Sequence, residues 1–149
     1  MIRFADLHVG PYMLKIDRAS SYRESLEALV RAHTDHATKL LFVEDIAAWG
    51  QQTGARVSGN PSAAALVGTS AQPWLIAVRE IFTSEQVQSV IDAMELFENH
   101  ADRVRQLAAP ERFLQHTVLH ELAHLVLSCG NEQEELCNRW AFERLPALS

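Results

Sequence analysis

The sequence predicts an α+β fold: apolar residues recur at helical spacing in several long segments, short β-rich runs lie apart from them, and no internal repeat imposes a regular alternation. From Ile2 to Ile16 apolar and polar residues mix around Gly10-Pro11, the pattern of one or two short strands about a turn. Tyr22, Leu26, Leu29 and Val30, introduced by Ser20 and Ser21 as caps, predict a helix over 21–33. The run from Phe42 to Trp49 predicts a second helix ending near Gly50, with short strands after it at 55–58 and 63–68. Trp74-Leu75-Ile76-Ala77-Val78-Arg79 follows Pro73 and is rich in large and β-branched residues, which makes it the strongest strand candidate in a small mixed or antiparallel sheet.

Helices dominate the remainder. Thr83-Ser84-Glu85-Gln86 has the form of a capping box, and Val87, Val90, Ile91, Met94, Leu96 and Phe97 extend a long helix towards Leu107. Pro110 and Glu111 suit the first turn of the next helix, whose broad apolar surface runs from Phe113 to Leu127 before Gly130-Asn131 stops it. A last helix begins near Glu132 and ends at Pro146.

With 149 residues and 48% apolar content, the chain has the size of one globular domain with a single core. Charges and turn residues break every apolar run well short of the roughly 18 residues a membrane helix needs, so no membrane association is expected. The first residues lack the pattern of a secretory signal, so a cytoplasmic location is the expectation. A net charge of −6 opposes the basic face that phosphate binding requires, so nucleic acid is not an expected partner. Cys129 and Cys137 are too few for a disulfide scaffold and lack C-x-x-C spacing; they read as free thiols in or near the core.

The chemistry concentrates in His120-Glu121-Leu122-Ala123-His124. Residues four apart share one face of a helix about one turn apart, so both imidazoles can reach one ion. Zinc takes neutral imidazole nitrogens, and catalytic sites use three protein ligands while leaving a place for water. Glu121, beside the first histidine, is then placed to accept that water's proton as general base. A chance H-E-x-x-H in a chain of this length arises on the order of one time in a hundred, and its position inside an apolar helix before a turn strengthens it further.

For a third ligand the sequence offers Glu132, Glu134 and Glu135. Glu134 shares a helical face with Asn138, which places Asn138 to support the site from behind; Glu135 is the alternative, or else a solvated acid in a first helical turn. His116 lies one turn before His120 and is a candidate to contact substrate or stabilise an oxyanion, against a plainer reading as a polar residue at the rim of a cleft. His33 and His36 are three apart in a polar stretch, weak grounds for a second metal site.

On these residues the chain resembles the gluzincins, which combine H-E-x-x-H with a downstream glutamate, and within them the ImmA/IrrE family of metallopeptidases and the minigluzincins. The resemblance rests on 116–127 and on Glu134-Glu135-Leu136-Cys137-Asn138-Arg139-Trp140-Ala141, and extends loosely over 45–146. It implies a compact zincin-like domain with an active-site helix and a C-terminal helix carrying the third ligand. It further implies a zinc peptidase with His120, His124 and Glu134 as ligands and Glu121 as base. Extended substrate would then add to an edge strand at Trp74, Ile76 and Val78. The stretch 1–41 has no counterpart in that pattern and is expected to pack on the domain as an extension, and the helix from Thr83 is longer than the usual link. No helix-turn-helix is evident, so the DNA-binding role of some relatives is not expected.

The leading expectation is a zinc metalloendopeptidase acting on a protein or peptide substrate, a regulatory protein among the candidates. Two others compete: a zinc-stabilised regulatory or protein-binding module with little protease activity, and hydrolysis of a non-peptide amide.

Overall fold

The computed structural model describes residues 14–54, 63–67, 72–93, 105–129 and 133–146. Within them the chain is α+β. After a 3-10 turn at Ala19–Tyr22 come α1 (Arg23–His33), β1 (Thr38–Val43), α2 (Ile46–Thr53), β2 (Ala63–Leu66), β3 (Trp74–Arg79), α3 (Ser84–Ala93), α4 (Pro110–Leu127) and α5 (Glu134–Arg144). The strands expected around Gly10-Pro11 and at 55–58, the Met94–Phe97 part of the long helix and the stop at Gly130-Asn131 lie outside the described residues.

The sheet is mixed, in the order β1-β3-β2. β1 runs parallel to β3 from Thr38↔Trp74 to Val43↔Arg79, and β2 runs antiparallel to it from Ala63↔Val78 to Leu66↔Leu75. One face, carrying Leu40, Phe42, Ala63, Ala65, Ile76 and Val78, joins the main core with α1, α4 and α5; the other, carrying Leu41, Ala64, Leu66 and Ala77, is covered by Ile46 and Trp49 of α2.

This two-sided burial corrects the helix expected from Phe42. A strand covered on both faces shows a continuous apolar run instead of alternation, and Leu40-Leu41-Phe42-Val43 is such a run. The helix begins at Ile46, where the Asp45 carboxylate accepts the Ala48 N–H at 3.1 Å, and ends at Gly54, whose φ of 81° is the left-handed cap that glycine adopts without strain.

Two further expectations change. Trp74–Arg79 is the middle strand, so both of its edges are taken up by β1 and β2 and it has no free edge for an extended substrate. Of the expected extension, the described residues 14–41 are built into the domain. β1 is part of the sheet, and Leu26 and Val30 of α1 are buried in the same core as Leu119 and Leu122 of α4. Upstream of α1, Ile16 bridges Phe82 through paired backbone bonds of 2.9 and 2.8 Å, and Phe82 meets Phe113 of α4 edge to face at 5.4 Å.

The capping box at α3 forms as expected: Gln86 N–H donates to Thr83 Oγ1 at 3.2 Å, and Thr83 N–H donates to Gln86 Oε1 at 2.9 Å. Thr83→Ala is therefore expected to lower the unfolding free energy by about 1 kcal/mol, read from urea denaturation against wild type. No helix of the described residues is long and apolar enough to cross a membrane.

Candidate metal centre

α4 is the scaffold of the site. Phe113, Leu114, Val118, Leu119, Leu122 and Ala123 are wholly buried, which fixes the helix rotation and leaves His120, Glu121 and His124 on the side that opens towards α5. Among the described residues these three form the one group of potential ligands whose donor atoms all lie within 4.8 Å of one another.

α5 supplies the rest. Glu134, its first residue, places Oε2 at 2.6 Å from His120 Nε2 and Oε1 at 3.2 Å from His124 Nε2. Asn138, one turn on and buried, presents Oδ1 to His120 Nδ1 at 2.7 Å. Glu135 points elsewhere, with its carboxylate 3.8 Å from the Arg139 guanidinium. The geometry therefore separates the two acids that spacing alone leaves open. The imidazoles are largely covered, 14% and 15% exposed at the side chain, whereas Glu134 at 43% marks the solvent side.

A backbone group completes the arrangement and has no sequence signature. α4 ends with Ser128 in the left-handed region (φ 54°), which turns the chain so that Cys129 N–H bonds the His124 carbonyl and the Cys129 carbonyl meets His124 Nδ1 at 3.1 Å. A carbonyl only accepts, so His124 carries a proton on Nδ1, and Asn138 Oδ1 places the His120 proton likewise. Both Nε2 atoms then face the Glu134 carboxylate. The carboxylate and the two Nε2 atoms come together as a donor set that a cation, whether proton or metal, can satisfy.

The ionisation of these groups follows from that convergence. The hydrogen bond to Glu134 holds His124 up at about 9, against the opposing effect of burial. Burial pushes the Glu134 carboxyl up, but hydrogen bonds to His120 and His124 outweigh it and hold the group at about 2. Burial also raises Glu121, partly offset by the two nearby histidines. In the metal-free protein the stabilisation from His124 is full below 6.5 and is lost as pH rises through about 9. That from Glu134 is full above 4.5 and is lost as pH falls through about 2. A metal ion must displace the His124 proton, so its apparent affinity is expected to rise about tenfold per pH unit between 6.5 and about 9. Calorimetric titration at pH 7.5 in buffers of different ionisation enthalpy is expected to register about one proton released per ion bound.

Comparison of the chain with protein-family models, curated proteins and solved structures returns no match.

Other candidate residues are placed differently. His116 is 3% exposed and packs on Phe142 with ring centroids 4.4 Å apart; it lies behind His120, at 6.0 Å, on the core side, away from any substrate at the open side. Ile76 and Val78 are wholly buried in the central strand, and Trp74 is covered by the ring of His36 stacked on it at 3.9 Å. His33 turns instead to Trp140, with ring centroids 6.2 Å apart, so the two histidines of that stretch face different tryptophans.

Proposed function

We propose that the protein is a zinc-dependent metalloendopeptidase of the gluzincin type, with the ImmA/IrrE-like arrangement of one ligand helix and one downstream acid. The observation that carries this reading is the Glu134 carboxylate, which bridges the Nε2 atoms of His120 and His124 while Asn138 and the Cys129 carbonyl take their Nδ1 protons. Two imidazoles and a carboxylate suit zinc, and outer hydrogen bonds of this kind orient such ligands.

His120, His124 and Glu134 would hold the ion. The chemistry zinc supplies at such a site is a lowered pKa for water and polarisation of a carbonyl oxygen. Glu121 is adjacent to the ligands yet is not engaged by Glu134's bridge, and its carboxyl is raised by burial, which suits a group that must take a proton from attacking water and return it to the leaving amine. Asn138 and Cys129 keep both imidazoles aimed while charge changes hands.

For an extended protein substrate, β2 takes the place expected of Trp74–Arg79. It packs against α4 and, among the described residues, lies at the end of the β1-β3-β2 order, the position from which main-chain hydrogen bonds to a substrate would be made. Comparison of protein termini in cells carrying wild type or Glu121→Gln tests the reading: termini present only with wild type support a peptidase. Identical termini in the native host would contradict it and favour a zinc-stabilised binding module.

A further inference from the structure

Both α2 and α4 end on a residue in the left-handed region, but the two ends are built differently. At α2 that residue is Gly54, φ 81°, which adopts the backbone without strain. At α4 it is Ser128, φ 54°, and among the described residues no other non-glycine residue has a positive φ. A Cβ in that region crowds the following carbonyl, so a serine stays there only where its surroundings hold it. The Ser128 side chain is exposed, whereas the main chain that follows is tied down. Cys129 makes three bonds back onto the helix end. Its N–H donates to the His124 carbonyl at 3.2 Å, its carbonyl accepts the His124 Nδ1 proton at 3.1 Å, and its thiol donates to the Leu127 carbonyl at 3.8 Å. Two of the three close on one residue: the backbone and the imidazole of His124 are both held by the backbone of Cys129. The first bond is what any helix end needs to satisfy a late carbonyl; the second sets the direction of a ring.

We propose that Ser128 is a positioning residue for His124: its left-handed backbone, and not its hydroxyl, turns the Cys129 carbonyl onto Nδ1 and so aims Nε2 at the ion. This role rests on His124 being a zinc ligand, as proposed above. With residue 128 in a helical or extended conformation, the Cys129 carbonyl leaves the ring and the imidazole regains its side-chain rotations. Residues differ in how well they tolerate the left-handed region. Glycine enters it freely, serine at a cost, and β-branched residues least of all. Zinc affinity should follow that order at position 128, although Ser128 supplies no atom to the proposed ligand set.

Three variants of the full-length chain, Ser128→Gly, Ser128→Thr and Ser128→Val, provide the test. Zinc affinity, measured against a chromophoric chelator, is expected to stay within a few-fold of wild type in Ser128→Gly and to fall about 10- to 100-fold in Ser128→Val. Ser128→Thr keeps the hydroxyl yet is β-branched, so it should weaken binding in the same direction as valine, and it decides the matter if the valine variant does not fold. Hydrogen exchange at the Cys129 amide, followed by NMR in the metal-free chain, reads the turn without zinc. Slow exchange is expected in wild type and Ser128→Gly, and faster exchange in the two β-branched variants. A residue that merely stabilised the fold would lower the unfolding midpoint without singling out that amide. Wild-type affinity in Ser128→Thr and Ser128→Val overturns the role, and so does faster exchange with unchanged affinity. Equal losses in Ser128→Gly and Ser128→Val would assign the effect to the hydroxyl and overturn it too. A wild-type chain that binds no zinc removes the metal centre itself, while the exchange rates still decide whether Ser128 holds the Cys129 turn.

Discussion

Glu121→Gln is expected to leave zinc affinity within a few-fold of wild type and to lower hydrolysis of a true substrate by at least about 10²-fold, and up to about 10⁴-fold. The amide keeps the size and polarity of the carboxylate but cannot take a proton at neutral pH. His120 and His124 keep their partners at Glu134, Asn138 and Cys129, none of which is Glu121, so the metal centre remains assembled. The loss should therefore appear in kcat with KM little changed, the sign of an interaction needed in the transition state. Wild-type rates in the variant would remove Glu121 as the base.

Glu134→Ala carries the next largest effect. Among the described residues its carboxylate is the group that touches both Nε2 atoms, so its removal is expected to weaken zinc binding by more than about 100-fold, beyond what loss of an outer hydrogen bond costs. Glu135→Ala is the control: its carboxylate lies 3.8 Å from the Arg139 guanidinium rather than on the imidazoles, and zinc affinity should stay at the wild-type value. In the metal-free protein Glu134→Ala should also bring His124 down from about 9, because the hydrogen bond that raises it is gone. The imidazole resonances of His124 followed by NMR against pH report that change. Equal zinc affinity in the two alanine variants would refute the assignment of Glu134.

These expectations also mark what the sequence carries. His120 and His124 share a helix face because of local geometry alone, and Thr83 and Gln86 close their capping box across three residues; such features need no distant partner. The parts that escape are those set by distant pairing. β1 is masked because burial on both faces removes alternation, and β3 reads as a strand without its rank in the sheet, which depends on β1 and β2 lying to either side. Glu134 and Glu135 differ only in helical phase, which rests on where α5 starts; the helix begins at Glu134, slightly later than Glu132. His116 sits on the right periodicity but on the side covered by Phe142 of α5. The Cys129 carbonyl has no side-chain signature at all, and only the left-handed turn at Ser128 brings it to His124.

The most direct measurement of the central claim is a competitive zinc titration of the chelator-treated, reduced chain at pH 8, with His124→Ala beside it. One zinc per wild-type chain is expected, with a loss of more than about 100-fold in affinity in the variant. A wild-type chain that takes up no zinc, or a His124→Ala chain that binds it as tightly as wild type, would contradict it.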